Sequence, residues 1–393
     1  MSLAPPDILF THNRDISQAA CARALALRPQ IVASVDGRDA YVAARHLDAA
    51  FCLPAANWGQ GALNDFLRAY HHLRTGDVDV LNRLLFFSQF FSGYSQLWMG
   101  REDGRTSVEP IPPGHAQWLI DNKSGPDAWG KRWLKYKNDV PPNLLYAPPA
   151  LMGQQGWTIG GVIVNHDTYA IQERINILHE AGIIAWLSSL GRAPRILEIG
   201  GGYGALAFAL RRIFPTSAYM ICDLPESLMF SGLYLTLCEQ DETRMVLPDE
   251  VLTPHLDTPG VSLLPNYRLH ALLEQNASFD LVINTLSMSE MSAHQVGVYA
   301  AAIARMTGTS GLFFEQNQDN RAIGLIDCED HIRDHFACHR RLNPVLSDAA
   351  QGRTNLWSMA SPSFLKPPAI PLRRRIAKAI MRTLRQWARR LRR

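Results

Sequence analysis

Residues 195–204 read Arg-Ile-Leu-Glu-Ile-Gly-Gly-Gly-Tyr-Gly. Ile196–Ile199 is a short apolar run with one acid, Glu198, inside it, and Ala205–Ile213 follows with helical patterning. The segment therefore reads as strand, glycine turn and helix. Glycines in such a turn leave the backbone open to a ligand, because a Cβ would occupy that space. The start of the helix offers free N–H groups to a carboxylate or a phosphate. A second apolar run, Ala218–Cys222, leads into Asp223, placed to accept two hydrogen bonds from a ribose diol.

This layout serves two kinds of cofactor. A nicotinamide site asks for Gly-x-Gly-x-x-Gly or a closing Ala, which Gly200, Gly202 and Ala205 satisfy. Glu198 separates the readings. An acid two residues before the first glycine sets negative charge beside a pyrophosphate, whereas it suits a cationic amino group and a sulfonium. The remaining option is a tight strand-to-helix turn that holds no ligand.

Outward from this segment, Ser227–Glu239 and Ala293–Met306 read as helices. Val261–Leu264, Phe279–Ile283, Leu312–Glu315 and Asn355–Met359 read as strands. Strands alternating with helices predict an α/β, Rossmann-like parallel sheet covered on both faces. Residues 1–150 read as a mainly helical N-terminal domain, a cap or substrate domain. The Pro- and Gly-rich stretch 141–161 marks the boundary, 151–366 is the cofactor-binding domain, and 367–393 is a separate C-terminal helix. In residues 84–98 (LLFFSQFFSGYSQLW) the aromatics Phe87, Phe90, Phe91, Tyr94 and Trp98 recur at helical spacing. A packed helix face is the first reading and a stacking wall for a sugar ring the second.

The chain has 393 residues, 47% hydrophobic and 19% charged, enough for a large core without disulfide or metal support. Its six cysteines form no Cys-x-x-Cys pair, and residues 1–13 lack a basic start followed by an apolar run, so a cytoplasmic, reducing compartment is expected. The net charge of +3 hides an asymmetry: ten of the 39 Lys and Arg lie in residues 373–393, which carry none of the 36 acids. There Leu372, Ile376, Ile380, Leu384, Trp387 and Leu391 form one helical stripe, with Arg374, Arg375, Lys378, Arg382, Arg385, Arg389 and Arg392 on the other side. Residues 372–393 therefore suit an anionic membrane surface, leaving the chain peripheral on the inner face of the cell membrane. A partner helix, a solvated end and nucleic acid are the alternatives. The clean apolar stripe argues against nucleic acid. Oligomeric state is not legible.

With Glu198, Gly200, Gly202 and Gly204 in an acid-x-Gly-x-Gly-x-Gly pattern, the chain resembles the class I S-adenosylmethionine-dependent methyltransferases. Two further blocks, Asp223-Leu224-Pro225-Glu226 and Asn284 through Met291, make it similar to the sugar O-methyltransferases of bacterial polysaccharide biosynthesis. The resemblance covers roughly residues 160–325 and implies S-adenosylmethionine as cofactor. Glu198 would face the methionine amino group, and the backbone of Gly200, Gly201, Gly202 and Gly204 would pass the methionyl and ribose parts. Asp223, with Leu224 beside it, would hold the ribose hydroxyls. Pro265 and Asn266 would lie near the adenine.

Asn284 ends the fourth strand, and ligands of open α/β sheets lie beyond the carboxyl ends of strands. Asn284, Ser287 and Glu290 should therefore border the cofactor and the methyl-transfer centre, with Glu315 and Asn317 close by. A sugar hydroxyl needs a base, and Glu290 is the first candidate, then His294 and Glu315. Glu290 also reads as an acid stabilising the helix that begins near Ala293, and His294 as a surface helix residue. A metal-independent site is expected, because the strand ends in Asn284 and Asp280 sits at its other end. Cys328, His331, His335 and His339 recur near helical spacing, but interleaved acids and arginines favour a solvated helix over zinc. The expected acceptor is a sugar or glycan, free or lipid-linked. An O- or N-methyltransferase of a small natural product and an inactive methyltransferase-like scaffold are the alternatives.

Overall fold

The computed structural model describes residues 18–55, 70–75 except 72, 133–147, 157–238 except 160 and 165, 243–342 and 352–364. The aromatic run 84–98 and the basic segment 372–393 lie outside the described residues, as does much of the 141–161 boundary.

The described residues of the N-terminal part include the helices α1 (Gln18–Ala26), α2 (Arg28–Asp36), α3 (Arg38–Ala44) and α4 (Ala49–Cys52). A hairpin of β1 (Trp157–Ile159) and β2 (Val162–Val164), absent from the sequence reading, precedes α5 (His166–Glu180) and α6 (Ile183–Ser188). The sheet then begins: β3 (Arg195–Ile199), α7 (Ala205–Ile213), β4 (Ala218–Asp223), α8 (Pro225–Cys238), β5 (Thr243–Met245), α9 (Thr253–Asp257) and β6 (Gly260–Pro265). It continues through α10 (Leu269–Glu274), β7 (Leu281–Thr285), α11 (Ala293–Thr307), β8 (Leu312–Asn317), α12 (Glu329–Ile332), β9 (Cys338–Arg341) and β10 (Arg353–Ser358).

Its eight strands lie in the order β5-β6-β4-β3-β7-β8-β10-β9. From β3 the chain builds outward through β4 to β6, then returns to add β7 and β8 on the other flank, all parallel. The order reverses between β3 and β7, and the crevice at that reversal is where such sheets bind ligands. Past β8 the topology leaves the dinucleotide-binding pattern of six parallel strands. β10 inserts antiparallel between β8 and β9, pairing Asn355 with Glu315 and with Arg341. This is an α/β, Rossmann-like sheet in which β10 alone runs antiparallel to the other strands.

Both faces are covered. On one, Ile196, Ile221 and Phe314 of the sheet join Ile175, Phe208 and Leu233 of the helices, together with Ala24, Leu27 and Ile31 from α1 and α2. On the other, Leu197, Val282 and Phe313 meet Ile303 of α11, Ile332 of α12, and Tyr41 and Phe51 from α3 and α4. The described N-terminal helices thus contribute to both cores. Gly232 shows how closely: a Cβ there would lie 3.0 Å from Leu263 Cδ1 and 3.7 Å from Ile31 and Leu27.

The segment 328–339 departs from the solvated helix expected of it. Only Glu329–Ile332 is α-helical, and Cys338–Arg341 is an edge strand. His339 stacks on Trp357 at 4.1 Å and bonds Asn355, while Cys328 is buried, so its cysteine and histidines do not share one helix face. No group of three or more metal-ligating side chains occurs among the described residues.

Candidate active site

The glycine turn sits at the reversal point. Ile199, the last residue of β3, pairs with Asn284 of β7. Asn284 is fully buried and uses both ends of its amide. Its Nδ2 donates to the Ile199 carbonyl at 2.8 Å and to Ser287 Oγ at 2.5 Å, and its Oδ1 accepts from the Met288 amide and from Asn317 Nδ2. Asn284 was expected to contact the cofactor. With every polar atom engaged by protein, it instead ties the glycine turn to the loop after β7 and to the end of β8.

The glycines divide by what they make room for. A Cβ on Gly200 would overlap Ser287 Oγ and lie 2.5 Å from Ser287 Cβ. On Gly201 it would lie 2.6 Å from Ile221 Cγ2, and on Gly204 2.8 Å from Leu235 Cδ1. Gly200, Gly202 and Gly204 all adopt positive φ. Close approach of a ligand is therefore only part of the reason for the motif, since protein atoms fill the space beside Gly200, Gly201 and Gly204.

Glu198 is buried, and Tyr219 donates to its Oε2 at 2.7 Å. Burial pushes its carboxyl up to about 8, against the pull of the Tyr219 hydroxyl and of Arg174. Arg174 comes from α5, which no sequence signal had attached to the site. That helix buries Ile171, Ile175 and Leu178 on one side and carries Asp167 in its first turn, where an acid suits the helix dipole. It ends before Gly182, at φ +81°. Arg174 Nε donates to Gln316 Oε1 at 3.0 Å. Gln316 Nε2 donates to Glu173 Oε1, and Tyr136 donates to Glu173 Oε2, both at 2.8 Å. A buried, hydrogen-bonded polar layer thus lies over the carboxyl ends of β3 and β8.

Across β4, Asp223 Oδ1 accepts from the Leu224 amide at 2.7 Å. Burial pushes its carboxyl up to about 7, while the Leu224 and Gly202 amides pull it down. Pro265 pairs with Asp223 in the β4–β6 register, so the two lie side by side at the carboxyl ends of these strands. Asn266 is buried, and its Nδ2 holds the carbonyls of Phe51 and Cys52 from α4. Its Oδ1 is buried without a hydrogen bond, an acceptor left over for a ligand donor.

The candidate bases fare differently. Glu290 ends the short helix Met288–Glu290 beyond β7 and is exposed. The turn leading into it contains Leu286 at φ +66°, an uncommon conformation for a residue with a Cβ. The Leu286 amide is held by the Gln316 carbonyl at 2.8 Å. The capping box that starts α11 is formed by Ser292 and Gln295, not by Glu290. His294 points away from this cluster. It is 54% exposed and hydrogen-bonds Asp48 of the N-terminal segment, which fits the surface reading.

Glu315 is fully buried in β8. Asn317 donates to its Oε2, and Asn355 and Trp357 to its Oε1. Burial raises its carboxyl to about 7, but its oxygens brace β10, and no face is left for a substrate hydroxyl. Glu315 is thus corrected from candidate base to a cross-strand brace. The reason is the alternation of β8, which sends Glu315 to the face of Phe313 and Gln316 to the face of Arg174. Asp280 lies at the amino end of β7 and pairs with Arg192 at 2.6 Å.

No protein-family model and no curated protein matches the chain. Among solved structures it is similar to the bifunctional kinase-methyltransferase WbdD, at 14% identity and TM-score 0.35, over 48% of this chain and 40% of that one. It is similar to the magnesium protoporphyrin IX methyltransferase ChlM from Synechocystis PCC 6803, with bound SAH, at 10% identity and TM-score 0.31 (61% and 97% covered). The N-methyltransferase NodS from Bradyrhizobium japonicum WM9 aligns at 14% identity and TM-score 0.31, covering 46% and 84%. The chain spans about 40% of the length of the WbdD chain it matches.

Proposed function

We propose that the chain transfers a methyl group from S-adenosylmethionine to a hydroxyl of a sugar in cell-surface polysaccharide biosynthesis. The observation that carries the cofactor is the buried acid Glu198 at the reversal point of a sheet with an antiparallel penultimate strand, beside a positive-φ glycine turn and Asp223. These residues fit that cofactor. Glu198 has one oxygen engaged by Tyr219 and the other for an ammonium, Asp223 suits a ribose diol, and Asn266 Oδ1 suits an adenine amino group. A pyrophosphate in the same place would meet two carboxylates.

The bound cofactor supplies an electrophilic methyl on sulfur. The protein's task is to hold the acceptor oxygen in line with it and to remove its proton. Glu290 is exposed just beyond the β7 end, on a turn anchored through Asn284, Asn317 and Gln316, and serves as the base. The sugar assignment rests on the sequence blocks 223–226 and 284–291. Incubating the full chain with labelled S-adenosylmethionine and a panel of nucleotide sugars, lipid-linked sugars and surface glycans tests it. Label in a sugar supports the reading, and label only in a small non-sugar acceptor replaces it.

The basic segment is proposed to hold the chain on an anionic membrane. No helix among the described residues is long and apolar enough to cross one. β10 runs antiparallel to β8, so it leads toward the amino ends of the parallel strands, and beyond it Phe364 stacks on Trp186 of α6 at 5.0 Å. Co-sedimentation of the full chain with anionic vesicles, against a chain ending at Lys366, tests the segment. Equal binding by both removes it.

A further inference from the structure

The chain enters Glu290 through one peptide unit, and that unit is held at both ends. The Ser289 carbonyl accepts from Asn320 Nδ2 at 3.2 Å, and the Glu290 amide donates to the Ser287 carbonyl at 3.1 Å. A peptide unit is planar, so fixing its oxygen and its N–H fixes the position and direction of the Glu290 Cα. Ser289 is itself buried. Its amide donates to Asn317 Oδ1 at 3.2 Å and its Oγ to the Leu286 carbonyl at 2.6 Å. The Glu290 side chain is exposed, so the backbone before it sets where its carboxyl starts.

Asn320 is held in turn. It lies in the loop between β8 and α12, where its amide donates to the Ile326 carbonyl at 3.2 Å and its carbonyl accepts from Ile323 at 3.0 Å and Leu325 at 3.1 Å. A bridge between Asp319 and Asp327 closes the loop. Arg321 pairs with these two acids at 2.6 and 3.3 Å, and Arg353 of β10 pairs with Asp327. One exposed pair contributes little, but several charges on one short loop restrict it together. Residues 321–324 are exposed and add nothing to either core. What the closure fixes is the Asn320 amide against the Glu290 turn.

We propose that Asn320 is a positioning residue for methyl transfer: by holding the Ser289–Glu290 peptide it aims the Glu290 carboxylate at the acceptor hydroxyl; this rests on the reading of Glu290 as the base. In that step the acceptor oxygen bonds the methyl carbon, the carbon–sulfur bond breaks with its electron pair left on sulfur, and the hydroxyl proton passes to Glu290. A base works only within hydrogen-bond reach of the proton it takes, and a misplacement of about 1 Å can cost about 100-fold in rate.

The test uses Asn320→Asp, which keeps the side chain's shape and removes its donor, with Asn320→Ala, Glu290→Gln and the double variant Asn320→Asp, Glu290→Gln, all in the full chain. Transfer of labelled methyl from S-adenosylmethionine into the panel of nucleotide sugars, lipid-linked sugars and surface glycans is measured. Each Asn320 variant should lower kcat about 10- to 100-fold, with acceptor KM and S-adenosylhomocysteine affinity unchanged. In Glu290→Gln the Asn320 change should have no further effect, because no carboxylate is left to aim. Amide hydrogen exchange of residues 286–291 should be faster in both Asn320 variants. Unchanged kcat or unchanged exchange in both variants overturns the proposal. So does an Asn320 effect that adds in full to Glu290→Gln, or a parallel loss of S-adenosylhomocysteine affinity, either of which would mark a merely structural role. If the unmodified protein labels nothing in the panel, or Glu290→Gln turns over normally, the reading of Glu290 as the base falls, and this proposal with it.

Discussion

Replacing Gly200 by Ala tests why the turn contains glycine. The new Cβ would overlap Ser287 Oγ, and rotating that hydroxyl gives no relief because Ser287 Cβ is itself only 2.5 Å away. Gly200 also sits at φ +72°. Left-handed backbone costs a residue with a Cβ about 1–2 kcal/mol, and overpacking adds about 1–3 kcal/mol, so Gly200→Ala should destabilise the fold by roughly 2–5 kcal/mol. Gly324→Ala separates the two parts: Gly324 has φ +82° with nothing within 4 Å of its missing Cβ, so it should cost only the backbone part, about 1–2 kcal/mol. Denaturant unfolding followed by tryptophan fluorescence, on Gly200→Ala, Ser287→Gly, the double variant and Gly324→Ala, gives the coupling between positions 200 and 287. A coupling of about 1–3 kcal/mol is expected, of the sign in which Ser287→Gly relieves Gly200→Ala. Zero coupling, or a Gly200→Ala no worse than Gly324→Ala, would refute the packing explanation.

Other predictions concern charge. Glu198 is raised from 4.5 to about 8 in the fold, so the folded state holds a proton that the unfolded state releases. Stability should therefore fall as pH rises from about 4.5 to 8, and Glu198→Gln should flatten that slope in pH-dependent unfolding. An ammonium needs the carboxylate form, so affinity for S-adenosylhomocysteine should rise as pH approaches about 8, with release of a proton visible as a buffer-dependent heat. Glu290→Gln should lower turnover by about 10²–10⁴-fold with cofactor affinity intact; unchanged turnover removes Glu290 as the base. His294→Ala breaks only an exposed pair with Asp48, so a stability change of at most about 1 kcal/mol and ordinary turnover are expected; a large drop in turnover would return His294 to the base candidates.

Much of the fold could be read from hydrophobic patterning. The runs at 196–199, 218–222, 261–264 and 312–315 lie within the observed strands, and 205–213 is a helix with those bounds. The short strands Thr243–Met245 and Cys338–Arg341 escaped because three or four residues carry too little periodicity, and the second is rich in arginine and histidine. Glu198 and Asp223 were legible because their spacing to the glycines is local. Arg174 was not: it lies 24 positions before Glu198, and only folding brings α5 over β8. Asn284 and Glu315 were placed at the correct strand ends, but spacing cannot tell an amide or an acid spent on its neighbours from one that faces a ligand. The difference lies in hydrogen bonds to Ser287, Asn317, Asn355 and Trp357, which are contacts between strands distant in sequence.

Titration calorimetry of the full chain with S-adenosylhomocysteine and, separately, with NAD⁺ tests the central claim most directly. The site predicts one-to-one binding of S-adenosylhomocysteine, abolished in Glu198→Gln, and no heat with NAD⁺. Binding of NAD⁺ in place of S-adenosylhomocysteine, or of neither, would contradict a methyltransferase cofactor site at Glu198 and its glycine turn.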